Sequence, residues 1–134
     1  MGINETYFNT LVPQSLTTVS YASVAAFNIT AASILGGNIQ TSGTASGAAT
    51  MTTPTAAIIC AAIAGCVNGM TRVLRIGNTS GQTITLTAGT NVTVTGTATI
   101  ATAKSRDYLV TIVDASGGSA GSVTFTNIGS AVMD

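Results

Sequence analysis

The sequence contains no histidine and no tryptophan, and only eight of its 134 residues are charged, four of each sign. Without histidine, neither a histidine-based nucleophilic site nor a histidine-ligated metal can be built, and two cysteines are too few for a zinc site. The balanced charges also offer no electrostatic surface to a nucleic acid. We therefore expect no enzyme, no cofactor, no metal and no nucleic-acid partner.

Two remaining combinations of polar residues have ordinary explanations. The one lysine, Lys104, precedes Ser105, but neighbouring side chains of a strand point to opposite faces, which argues against a serine–lysine catalytic pair. Asp107 follows Arg106, and a solvated ion pair between these neighbours accounts for both charges.

Charge is missing altogether from residues 6–71, and the mean hydropathy of the chain is +0.52. Because charge keeps free domains dispersed, a neutral surface favours association. We expect much of this surface to be covered by other chains; the alternative is a surface solvated by Thr, Ser and Asn. The longest apolar run, residues 56–67, is shorter than the roughly 20 residues of a membrane-spanning helix, and no export signal precedes it, so we expect no membrane partner.

Alternation of apolar residues with threonine dominates the second half of the chain. It predicts strands separated by glycine-bearing turns, and in the strongest of them Tyr108, Val110 and Ile112 share one face. The predicted fold is all-β, a small sandwich or barrel of short antiparallel strands. The predicted strands are 73–76, 83–87, 92–95, 97–101, 106–114 and 123–128.

One short helix is predicted over about residues 54–64. Thr53 would cap it, Pro54 suits the first helical position, and Gly65 would end it in a left-handed conformation. Within one such helix, Cys60 and Cys66 would lie about 240° apart, and a disulfide would require the chain to unwind after Gly65. We interpret both cysteines as small buried hydrophobic residues.

Residues 28–53 are less distinctive. Ile29, Ile34, Leu35 and Ile39 are typical of short strands, and the small residues after Gln40 fit a flexible linker or an extended strand equally well.

An extended N-terminal arm, residues 1–27, is predicted to precede a β-domain of residues 28–134. The arm holds four of the six Tyr and Phe residues, Pro13 breaks any helix across it, and residues 19–27 have the pattern of a strand. We expect these aromatic side chains to pack on the domain or on a neighbour, and the two closely spaced arginines of the domain to meet an acidic partner or to keep a sheet edge soluble. The candidate partner-binding residues are Tyr7, Phe8, Tyr21, Phe27, Arg72 and Arg75.

An ordered series of short motifs runs through about three quarters of the chain, from Ile29 to Ile128: PTAA at 54–57, IGNTS at 76–80, TITLTAGTNV at 83–92, GTATI at 96–100 and SRDYLV at 105–110. The series resembles a group of small virion proteins of tailed phages and other large DNA viruses, several of them capsid cement or decoration proteins. The resemblance implies a homotrimer on the capsid surface that binds between major capsid protein subunits, with the arm against the shell. Related stretches occur in phage fibre proteins, so a tail fibre or spike module that binds the host surface is the alternative; a bacterial surface subunit would need an export signal.

Overall fold

A computed structural model of the chain describes residues 15–20, 26–42, 47–116 and 121–132. Within these ranges there are two helices, α1 (Ala31–Gly36) and α2 (Ala56–Ala61). The strands are β1 (Ser15–Ser20), β2 (Ala26–Asn28), β3 (Gly37–Ser42), β4 (Ala49–Thr52), β5 (Thr71–Asn78), β6 (Ile84–Thr87), β7 (Val92–Thr95), β8 (Thr99–Ile100), β9 (Lys104–Asp114) and β10 (Ser122–Val132).

The strands form two sheets between which the chain alternates. One sheet has six strands in the order β1-β3-β5-β9-β10-β7, and the other has four in the order β2-β4-β6-β8. From β1 to β9, each successive strand lies in the opposite sheet. Through β6, strands that are neighbours in a sheet are therefore separated in the chain by one strand of the other sheet, and these pairs run parallel: β1–β3, β3–β5, β2–β4 and β4–β6.

The β-rich class is confirmed, but the prediction of antiparallel strands alone is wrong. The pairs β5–β9, β9–β10 and β6–β8 are antiparallel, whereas β7 joins β10 in parallel. Of the two predicted arrangements, sandwich or barrel, the barrel is also wrong, because the described strands make two separate open sheets. Apolar residues alternate in the same way whether neighbouring strands run parallel or antiparallel. The alternation therefore predicts which side chains are buried, but it does not predict the relative direction of the strands.

A single core fills the space between the two sheets. It joins side chains of the six-stranded sheet, such as Ile39 and Leu74, to side chains of the four-stranded sheet, such as Met51 and Ile84. Tyr108, Val110 and Ile112 are buried on one face of β9 as predicted, and Phe125 of β10 is buried beside them.

Helix α1 lies where strand material was expected: the prediction is wrong for Ile34 and Leu35, whereas Ile39 does lie in a strand, β3. Thr30 caps the helix with a reciprocal pair of hydrogen bonds: its hydroxyl accepts from the Ser33 backbone N–H, and the Ser33 hydroxyl accepts from the Thr30 backbone N–H. This capping box fixes the first turn, so Ile34 and Leu35 reach the core from a helix.

Helix α2 is shorter than predicted and is capped by a different threonine. The Thr55 hydroxyl accepts from the Ile58 N–H at 3.2 Å, so the helix begins at Ala56. The Thr53 hydroxyl is engaged elsewhere, since it accepts from the Gly89 N–H at 2.9 Å and donates to the Pro54 carbonyl.

Asn78, at the end of β5, connects the two sheets. Its side chain is fully buried, and its amide donates to the carbonyls of Gln82 (2.6 Å) and Ile100 (2.8 Å). Its oxygen accepts from the Thr41 hydroxyl at 3.2 Å and from both the N–H and the hydroxyl of Ser80. Thr41 belongs to the six-stranded sheet and Ile100 to the four-stranded sheet, so one side chain binds both.

We expect Asn78→Ala to lower the free energy of unfolding by about 3 kcal/mol or more, because it leaves several buried polar groups without partners. Asn78→Asp keeps the size and the acceptors but cannot donate, and we expect a similar loss. The control is Asn38→Ala at an exposed position, for which we expect less than about 0.5 kcal/mol. Urea unfolding measures all three, and an Asn78→Ala protein as stable as the control would contradict this role.

Candidate interaction surface

One face of the six-stranded sheet lies opposite the core and carries two rows of side chains in register. The first row crosses four strands with threonine at every position, and the second combines apolar residues with threonine. All of them are exposed or half-buried in the part of the chain that the structure describes. The rows are Thr71, Thr111, Thr124 and Thr93, followed by Val73, Leu109, Thr126 and Thr95. We call this side of the sheet the open face.

Exposed apolar side chains lie on the open face both within these rows and beyond them. Val73 is 46% exposed and Val113 is 51% exposed, and both alternate with core residues along their strands. Leu16 of the edge strand β1 is 58% exposed and lies in register with Asn38, which in turn pairs with Arg75. The open face therefore displays methyl groups and hydroxyls over most of its width.

The charges on the open face cancel. Arg75 and Asp107 pair across β5 and β9, with Nε–Oδ1 at 2.9 Å and Nη2–Oδ2 at 3.2 Å. The hydrogen bonds and charge of Asp107 raise the pKa of Arg75. Among the described residues, no other charged side chain belongs to this face.

The predicted ion pair between Asp107 and Arg106 is therefore wrong. Neighbouring residues of a strand point to opposite faces, so Asp107 meets Arg75. Arg106 instead donates its Nε–H to the Thr99 carbonyl at 2.8 Å.

A polar groove of about 360 Å³ crosses one end of the open face. Gly77 and Ser105 pair in its middle, and their small side chains leave a depression between longer neighbours. Asn38, Gln40 and Arg75 supply its polar wall. The groove offers hydrogen-bonding groups beside the apolar rows.

The structure separates the two arginines that the sequence suggested as a pair. Residues three apart in a strand lie on opposite faces, so Arg75 belongs to the open face while Arg72 is buried on the core side beside Ile59 and Val110. Burial lowers the pKa of Arg72. The suggestion that both protect a sheet edge is wrong, because β5 lies between β3 and β9.

The aromatic candidates have different positions. Phe27 of β2 is half-buried and packs against the core, and Tyr7, Phe8 and Tyr21 lie outside the described residues. β1 and the first two residues of β2 fall within the segment predicted as the arm, and these strands pair with β3 and β4 respectively. The threonine rows were missed, because alternation within each strand was visible but register between strands was not.

No family model, curated protein or solved structure matches the chain. In the described ranges, no helix has the length and apolar character needed to span a membrane. Nor do any three His, Cys, Asp or Glu side chains of those ranges come together as metal ligands would.

Tyr108, the largest aromatic side chain of the described strands, lies in the core. The ring is fully buried, and its hydroxyl donates to the Thr97 carbonyl at 2.9 Å. Burial raises the pKa of the phenol from 10.0 to about 12, with a smaller opposing effect from Arg106.

Because this pKa is raised in the folded state, the contribution of Tyr108 to stability is complete below pH 10 and is lost as the pH rises from about 10 towards about 12. We expect the free energy of unfolding of the wild type to fall in this window by on the order of 1 kcal/mol more than that of Tyr108→Phe. Burial and the Cys60 thiol raise the pKa of Cys66 to about 12 in both proteins, so the difference between them isolates the tyrosine. If the free energies of unfolding of the two proteins change in parallel with pH, folding does not raise the pKa of Tyr108, and this prediction is contradicted.

Proposed function

We propose that the protein is a structural protein of a virus particle, a capsid cement or decoration protein that binds between major capsid protein subunits and stabilises the shell as a homotrimer. The observation that carries this proposal is the open face, a broad sheet surface on which threonine and valine predominate and the one ion pair is neutral. The resemblance of residues 29–128 to small virion proteins supports it and is our reason for proposing the capsid surface as the location.

The chemistry of the open face suits a bond that is weak at each site and repeated over a lattice. Threonine and valine lose little side-chain entropy when they are buried, and they present methyl groups and hydroxyls without a desolvated charge. A homotrimer that engages several coat subunits gains from multivalency, so no single contact has to be strong.

The N-terminal arm joins the sheet at the edge of the open face. β1 is the outermost strand on that side, and Leu16 lies in register with the residues of the face. The described part of the arm therefore borders the proposed contact. We propose that the arm and the open face bind the same coat subunits.

The alternative, a fibre or spike module that binds host glycans, finds less support in the site. Carbohydrate sites stack sugars on exposed aromatic rings. In the described strands, Tyr108 and Phe125 are fully buried and Phe27 is half-buried. The open face has hydroxyls and methyl groups where such a site would place rings.

Val73→Lys tests the open face, and Ile58→Lys is its control. Both side chains are apolar and about half exposed, but Ile58 lies on α2, away from this face. An unpaired charge buried at an interface costs about 2 kcal/mol or more, so we expect Val73→Lys to bind shells of the major coat protein roughly 30-fold more weakly, with the control unchanged. Cosedimentation with the shells measures binding.

Deletion of residues 2–14 tests the arm while keeping β1 intact. We expect the truncated protein to remain a trimer in sedimentation velocity and to lose binding to the shells. Binding that survives both the deletion and Val73→Lys would overturn the proposal. If Val73→Lys instead converts the trimer to a monomer, the open face joins protomers and not coat protein.

A further inference from the structure

The two cysteines are brought together by an early end to α2. The helix stops at Ala61, and Gly65 adopts a left-handed conformation with φ of 68°, so the chain turns back before Cys66. Cys60 is buried in the last turn of α2, and Cys66 is half-buried and packs against the same core. The unwinding that a bridge between them requires is therefore present in the fold.

The thiols are neighbours in the folded protein. The Cys60 Sγ–H donates to the Ala115 carbonyl at 3.3 Å, and Cys66 lies close enough for the Cys60 thiol to affect its pKa. Burial, and to a lesser extent the adjacent Cys60 thiol, raise the pKa of Cys66, so this thiol is protonated at neutral pH.

The loop that carries Cys66 is held against the end of β9. The Ala115 N–H donates to the Asn68 side chain at 2.7 Å, and the Gly69 N–H donates to the Ile112 carbonyl at 2.7 Å. The Ile112 N–H donates in turn to the Met70 carbonyl at 2.9 Å. These hydrogen bonds fix the loop after Cys66 beside Ala115, the residue whose carbonyl accepts from the Cys60 thiol.

We propose that Cys60 and Cys66 form an oxidation site, at which a small-molecule disulfide converts the two thiols into an intramolecular disulfide that locks the end of α2 to the loop after it. The Cys66 thiolate, the more exposed of the two, attacks one sulfur of the oxidant and expels one thiolate. The Cys60 thiolate then attacks the Cys66 sulfur of the mixed disulfide and expels the second. The oxidant gains two electrons and the two protons of the protein thiols, and leaves as two thiols.

Oxidised glutathione tests the site on the full-length wild-type protein. We expect the loss of both free thiols, a mass lower by two hydrogens, and a peptide that joins Cys60 to Cys66 in a non-reducing digest. The reaction should accelerate as the pH rises from 7 to 9, because the raised pKa of Cys66 leaves little thiolate at neutral pH. Closing this short loop should raise the melting temperature by roughly 5 °C, and dithiothreitol should reverse the change.

Cys60→Ser and Cys66→Ser serve as paired controls. Each should stop at a mixed disulfide or remain reduced, without the rise in melting temperature. The inference is overturned if the wild type accumulates a stable mixed disulfide, forms disulfides between chains, keeps both thiols, or melts at a lower temperature once the bridge has closed. None of these results depends on whether the protein belongs to a capsid.

Discussion

The buried amide of Asn78 is the interaction on which the arrangement of the two sheets depends. It is hydrogen-bonded to β3 through Thr41, to β8 through the Ile100 carbonyl, and to the turn that leads into β6 through Ser80 and Gln82. Because buried amides are costly when unpaired, this network is satisfied only when the two sheets meet in one relative position. In that position the buried side chains of both sheets pack together in the core.

The open face is a consequence of the same construction. As the chain alternates between the sheets, each strand turns its larger apolar side chains inward, and in the six-stranded sheet threonine and valine remain on the other side. A sheet with only one buried face normally carries polar or charged residues on the other. Here the outer residues are short and their charges cancel, which is why we propose that coat protein covers this face.

Much of the fold was predictable because the alternation of apolar and polar residues indicates which side chains are buried. The inward positions of Tyr108, Val110, Ile112 and Phe125 needed no more than a period of two. The parallel pairing was not predictable, since it depends on which sheet each strand joins. The start of α2 was misplaced because Thr53 and Thr55 are equally good caps, and only the tertiary bond to Gly89 decides between them. For the site, Arg75 was a candidate from the sequence and lies on the open face, but its partner Asp107 became visible only with the register of β5 and β9.

The copy number of this chain in purified virus particles tests the proposed function most directly. Quantitative mass spectrometry against the major coat protein provides it, with isotope-labelled peptides of both chains as standards. A cement protein occupies a repeated lattice site, so we expect a number of copies comparable with that of the coat protein. Only a few copies per particle would place the chain in a tail or fibre. Its absence from particles would contradict both the cement proposal and the fibre alternative.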